Sequence, residues 1–255
     1  MGSLINMIDK VKKYYTFTGA ELSGMVVSVL VLSFLISFRD WGADKFNLAA
    51  GLFNWFNAAL IVALVLMIFN FVQKVAGLSL GYKVEYKMWT TGLFIGLILT
   101  FVSRGKIWVL LPGGIMLHHI AGHRLGHYRY NLNYFQHGMV AVAGTISLIT
   151  LAAIFKVVNV FIGSDLLQKL ILFCLILAIY DILPIPPLSG NRLFFGSRMV
   201  YAFMFSTIIA ASILLMVSKN ILMAILGSII IGIICWLLYY IFFESKVWKG
   251  PWPKN

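Results

Sequence analysis

From Ile221 to Phe243 the chain reads ILMAILGSIIIGIICWLLYYIFF, without one charged side chain. A helix of about 20 apolar residues matches the hydrocarbon thickness of a bilayer. Inside it, every backbone N–H and C=O must find a partner within the protein. Comparable runs lie near 22–38, 50–73, 91–103, 139–162, 168–184 and 199–217, with the last run near 220–243. The pattern predicts an all-α polytopic membrane protein with six or seven transmembrane helices and a small β element between them. The third run is short, as a tilted, half-buried or re-entrant segment would be. Composition excludes the soluble alternative: 61% of residues are hydrophobic and 11% charged, where a soluble domain is about half apolar and about a quarter charged.

The net charge is +12. Lys and Arg punctuate apolar runs as membrane loops do, with no long basic block or RNA-binding signature, so nucleic acid is excluded as a partner. The lipid bilayer is the expected one, with basic side chains against anionic head groups. Cys174 and Cys235 both lie in apolar runs and read as small hydrophobes. Residues 1–20 form a basic amphipathic segment, and 21–255 a single membrane domain. The cluster Lys10, Lys12 and Lys13 favours a cytoplasmic N-terminus of a multi-pass protein in the cell membrane.

The one sizeable stretch that is not plainly transmembrane spans about 104–137, RGKIWVLLPGGIMLHHIAGHRLGHYRYNLNYFQHG. Gly-Gly, alternating apolar and polar residues and Asn-x-Asn fit strands and turns. GYKVEYKMW, Gly81 to Trp89, alternates likewise and is the natural pairing partner.

The most unusual decapeptide is DILPIPPLSG, Asp181 to Gly190, directly after the apolar run KLILFCLILAIY. Proline removes a backbone donor and breaks the helix. Asp181 is an ionisable group at membrane depth, where such residues mark function by default. The plainer reading is a helix that leaves the membrane at Pro184 with Asp181 at the interface. From spacing alone both readings stand.

This decapeptide resembles the Asn-x-x-Pro-x-Pro-Pro-Leu-Asp-Gly signature of site-2 proteases, the zinc intramembrane metalloproteases. VAVAGTISLITLAA, Val140 to Ala153, is similar to that family's Ala-Gly-Pro-Leu-x-Asn helix start, with Thr145 for its proline and Leu148 for its asparagine. KVAGLSLGYKVEYKMWTTGL, Lys74 to Leu93, resembles the segment after the zinc-binding helix in archaeal members, and LLPGGIM, Leu110 to Met116, resembles their Pro-Gly-Ala-Val turn. The resemblance implies a site-2-protease-like core over about 50–200.

It also implies where a zinc site would lie. Family members hold zinc with two His of His-Glu-x-x-His and the Asp of Leu-Asp-Gly; the Glu activates the metal-bound water. In this register Phe69 and Gln73 occupy the two His slots, Asn70 the Glu slot and Ser189 the Asp slot. All three ligands and the general base are missing, so the expected cofactor is none and the site degenerate. A rival zinc site is His119, His123 and His127, spaced four apart. There Ile120 replaces the Glu, and Gly122 and Gly126 each weaken a helix by about 1 kcal/mol.

What survives is a groove shape. The residues that resemble its rim are Asp181, Pro184, Pro186, Pro187, Leu188, Ser189 and Gly190. The resulting expectation is a non-catalytic protein that binds a transmembrane helix of another protein or serves as a subunit of a membrane complex. In that reading Asp181 contacts the partner, Arg192 or Arg198. The alternatives are an active metalloprotease with a rearranged site at His119, His123 and Asp181, for which Glu85 is the only internal Glu besides Glu21, or a transporter.

Overall fold

The computed structural model describes residues 2–41, 47–119, 133–218 and 220–244. Of the rival zinc triad, His123 and His127 lie outside them. The elements in order are α1 (Gly2–Tyr14), α2 (Gly19–Ser37), α3 (Leu48–Leu80), β1 (Tyr82–Met88), α4 (Thr90–Val102), β2 (Gly113–His119), α5 (Tyr134–Ile162), α6 (Asp165–Asp181), α7 (Ser189–Gly196), α8 (Arg198–Val217) and α9 (Ile221–Tyr239), which runs on as a π-helical turn to Glu244.

Five of the helices, α2, α3, α5, α8 and α9 with its extension, are long and apolar enough to cross a membrane, which makes this a multi-pass membrane protein. The six or seven spans expected from the apolar runs are not all reached. The run near 91–103 becomes α4, only 13 residues. The run near 168–184 becomes α6, 17 residues long, because Asp165 opens it and Pro184 stands beyond its end.

Side-chain contacts fix the helix directions. Lys74 on α3 meets Glu21 on α2, while Trp55 Nε1 donates to Ser33 Oγ at 2.8 Å, so the two helices are antiparallel. Gln73 meets Ala141, which sets the start of α5 beside the end of α3. Only Gly163 and Ser164 join α5 to α6, turning the chain straight back. Lys156 Nζ, late in α5, donates to Leu215 O and to Ser218 O (2.5 Å), so α8 runs parallel to α5 and has its last carbonyls capped. The core between these helices is apolar: Leu32, Val62, Val65, Leu148, Phe173 and Leu175 are fully buried. Outward faces carry exposed Leu, Ile and Phe, for example Phe53, Phe56, Leu222 and Met223, as hydrocarbon contact requires.

The short α4 is one arm of a hairpin. It runs down beside α2, where Phe101 packs on Phe34 and Phe38. The chain turns at Arg104 and Gly105 and comes back as a non-helical segment. Gly96 lets it pass: a Cβ there would stand 2.7 Å from Val109 O. The hairpin closes where Trp89 N donates to Pro112 O at 3.1 Å. Val109, Leu110 and Leu111 are buried, so this non-helical backbone is covered by protein.

The predicted β element forms. β1 and β2 pair antiparallel, from Tyr82 opposite His119 to Met88 opposite Gly113. Gly81, at φ 87°, ends α3 in the left-handed conformation and aims the chain into β1. The other edge of β1 meets Glu21. Its Oε1 accepts from Tyr86 N at 2.9 Å and lies 2.8 Å from Lys74 Nζ. Lys74 Nζ also donates to Thr16 O at 3.0 Å and sits 3.9 Å from the Phe17 ring. Thr18 and Glu21 cap α2 reciprocally. One buried ion pair thus pins α2, α3 and the sheet edge together.

Removing one partner strands the other charge in a buried site, a loss of about 3–5 kcal/mol. Lys74→Met is therefore expected to lower stability by that order in a mixed-micelle unfolding titration. Glu21→Leu/Lys74→Met together should recover most of it; a double variant as unstable as the single would refute the pairing.

Candidate functional site

The sequence positions read as metal slots meet at the sheet end of the bundle. On α3, Phe69 and Gln73 stand one turn apart on one face, with Asn70 beside them, all buried. Asn70 Nδ2 donates back to Leu66 O at 2.8 Å, within its own helix. Gln73 reaches out. Its Nε2 donates to Ala141 O on α5 at 3.0 Å and to Ser189 Oγ on α7 at 3.4 Å, while its Oε1 is buried and unpartnered among the described residues. Gly144 makes room, since a Cβ there would come within 2.7 Å of the Gln73 amide.

Asp181 is the last residue of α6 and 4% exposed. Its Oδ2 accepts from Thr145 Oγ1 at 2.5 Å and its Oδ1 from Ser189 N at 3.3 Å. An uncompensated carboxylate in such a place is prohibitive, and hydrogen bonds to the charged form are what make it tolerable. The expected pairing with Arg192 or Arg198 is not the one made. Arg192 donates to Ile115 O on β2 instead, and Arg198 is exposed at the start of α8.

The proline segment has a full backbone account. Ile182 N donates to Ala178 O, Leu183 N to Tyr180 O, Ile185 N to Leu183 O, Leu188 N to Ile185 O, and Ser189 N to Asp181. Pro184, Pro186 and Pro187 have no N–H to place. The break therefore turns the chain without leaving a donor unmet; the Pro186–Pro187 bond is cis. Pro187 O lies against Gly114, where a Cβ would come within 2.1 Å, and Gly190 packs on Ile182 O, leaving no space for a side chain. Of the expected partner-binding residues, Pro184 and Pro186 are exposed with Ile185 between them. Pro187 is half-buried, and Asp181, Leu188, Ser189 and Gly190 are buried.

The histidines sit elsewhere. His118 and His119 end β2, so His119 stands on a strand and not on a helical face. The Tyr82 ring is 4.9 Å from both the His119 and the His137 ring. His118 Nε2 is 3.6 Å from Glu85 Oε2. The hydrogen bond from Lys83 holds the Glu85 carboxyl below the usual carboxylate range, and Lys83 lies 2.9 Å from it. Glu85 is thus an ionised strand residue outside the Gln73–Asp181 cluster.

A zinc ion needs about four donors drawn from thiolate, imidazole and carboxylate. The slots supply a phenyl ring, two amides and a hydroxyl, and the one carboxylate beside them already accepts two hydrogen bonds. Among the described residues no group of three or more His, Cys, Asp or Glu is placed to hold a metal. The residues in these slots do not fit zinc.

Sequence reasoning missed two features. Thr145, read only as a replacement for proline, is the donor that holds Asp181; nothing in its spacing signals that. Glu21 is the anchor of the sheet edge, and the capping pattern Thr18-x-x-Glu21 was the available signal.

In comparison with known proteins, the chain is 22% identical over 193 residues to a protein of Methanocaldococcus jannaschii named "Putative zinc metalloprotease", covering 74% of this chain and 90% of that one. No protein-family model matches the chain, and no solved structure matches it.

Asp181→Ala is expected to leave the Thr145 hydroxyl and the Ser189 amide without an acceptor, a loss of about 1–3 kcal/mol for each buried group. Asp181→Asn keeps one acceptor and should lose less. A thermal-shift series in detergent that ranks the alanine variant with wild type would break this account.

Proposed function

We propose that this chain is a non-catalytic relative of the site-2 proteases that holds a membrane-spanning segment of another protein, alone or as a subunit of a membrane complex. One observation carries the reading. Gln73 and Ser189, which stand where two metal ligands would, hydrogen-bond to each other at 3.4 Å, and Asp181 beside them is held by Thr145 and Ser189. Gln73 Nε2 is spent on Ala141 O and Ser189 Oγ, and Asn70 Nδ2 on Leu66 O of its own helix. Around this knot the proline break keeps an exposed rim at Pro184, Ile185 and Pro186, of the kind that meets an incoming segment. The likeness to a protein named for zinc proteolysis fits a shared scaffold, and the side chains in the slots argue against shared chemistry.

The test has two arms. Purified in detergent without a His tag or chelator, the protein is expected to carry far less than one zinc per chain, with no change in His119→Ala/His123→Ala. A photo-crosslinking residue at Ile185 is expected to capture an intact membrane polypeptide in cells. One zinc per chain that disappears in the double variant would favour the rearranged metalloprotease. Capture of shortened products would mean cleavage survives.

A further inference from the structure

α8 and α9 form the outermost hairpin, closed where Gly232 meets Thr207. Beside that contact runs a groove of about 700 Å³ open towards the surrounding hydrocarbon. It is lined by Ala202, Phe205, Ile209 and Ala210 of α8 and by Ile231 and Cys235 of α9. Arg198, Tyr201 and Tyr239 line it where α8 begins and α9 ends. Arg198 is exposed and has no ion pair or hydrogen bond among the described residues. We propose that this groove is a binding site for one anionic phospholipid, its phosphate at Arg198 and one acyl chain along α8 towards Leu214.

Size and charge choose the occupant. From Arg198 to Leu214 the groove follows about 24 Å of helix, the reach of a phospholipid from phosphate to chain end. A transmembrane helix of α8's length is about 10 Å across and fills on the order of 2000 Å³, several times the space present. Along α8 from Ala202 to Leu214 the lining is apolar except for Ser206, whose Oγ is spent on Ala202 O and Phe203 O within its own helix. An unpaired arginine at the membrane edge is matched by a phosphate, to which guanidinium binds in a fork. The inference does not depend on the proposed function, since none of the residues lining the groove belongs to the Asp181 cluster.

The full-length protein, delipidated in detergent, is titrated with phosphatidylglycerol or phosphatidylcholine and read by native mass spectrometry. Wild type should retain one phosphatidylglycerol in preference to phosphatidylcholine. Arg198→Gln should weaken phosphatidylglycerol about fivefold, the worth of one basic side chain against an anionic head group, and leave phosphatidylcholine unchanged. Ala202→Trp fills the groove and should abolish retention of both. In wild type, added phosphatidylglycerol should slow maleimide labelling of exposed Cys235, while buried Cys174 serves as the unreactive control. Equal affinity for the two lipids, an unchanged Arg198→Gln variant, lipid adducts that rise without stopping at one, or protection of Cys235 by a co-purifying polypeptide would each overturn the proposal.

Discussion

Asp181 closes α6 buried inside the bundle, and the elements around it answer to that carboxylate. α5 must present a hydroxyl at Thr145. The chain must also fold back within eight residues so that the Ser189 amide reaches the same group, and three prolines make the reversal possible without orphaned donors. Gln73 then ties Ser189 and Ala141 to α3. Four helices are joined through one side chain and its donors, in surroundings where apolar packing alone discriminates weakly between helix positions.

The Glu21–Lys74 pair solves a different problem at the same end of the molecule. A two-stranded sheet is marginal by itself, and its free edge invites further pairing. Placing a carboxylate on Tyr86 N occupies that edge from the side of α2, and burying Lys74 against Thr16 and the Phe17 ring keeps the charge neutralised. The sheet is therefore part of the membrane domain's core and not an appendage. Burial also raises the Tyr86 phenol pKa, consistent with a hydroxyl that serves only to bond Ser28 and Pro112 O.

The helices and the sheet were largely legible in the sequence, because bilayer thickness converts apolar run length directly into structure and because period-two alternation at 82–88 survives among apolar neighbours. The span count was not. Run length cannot distinguish a crossing from an excursion, and what decides it for α4 is the fit of Gly96 against Val109 O, a contact between residues far apart in role though near in sequence. The candidate site was legible as a list of slots but not as a network. Gln73 to Ser189 and Thr145 to Asp181 are contacts across 116 and 36 positions, and a lone polar residue in an apolar run names no partner. The arginine pairing expected for Asp181 followed charge and missed that short donors lay closer.

The α4 hairpin has a consequence for the direction of everything after it. Its 13-residue helix runs about 20 Å along α2 and the segment from Ile107 to Pro112 brings the chain back to Trp89, so the excursion reverses nothing. α5 consequently starts at the sheet end, with Gly144 and Thr145 delivered beside Gln73 and Asp181. Had the chain not returned after residues 91–103, α5 would begin at the other end of the bundle, and Thr145 would lie a helix length from the carboxylate it holds. The parity of one short segment decides whether the knot can be tied.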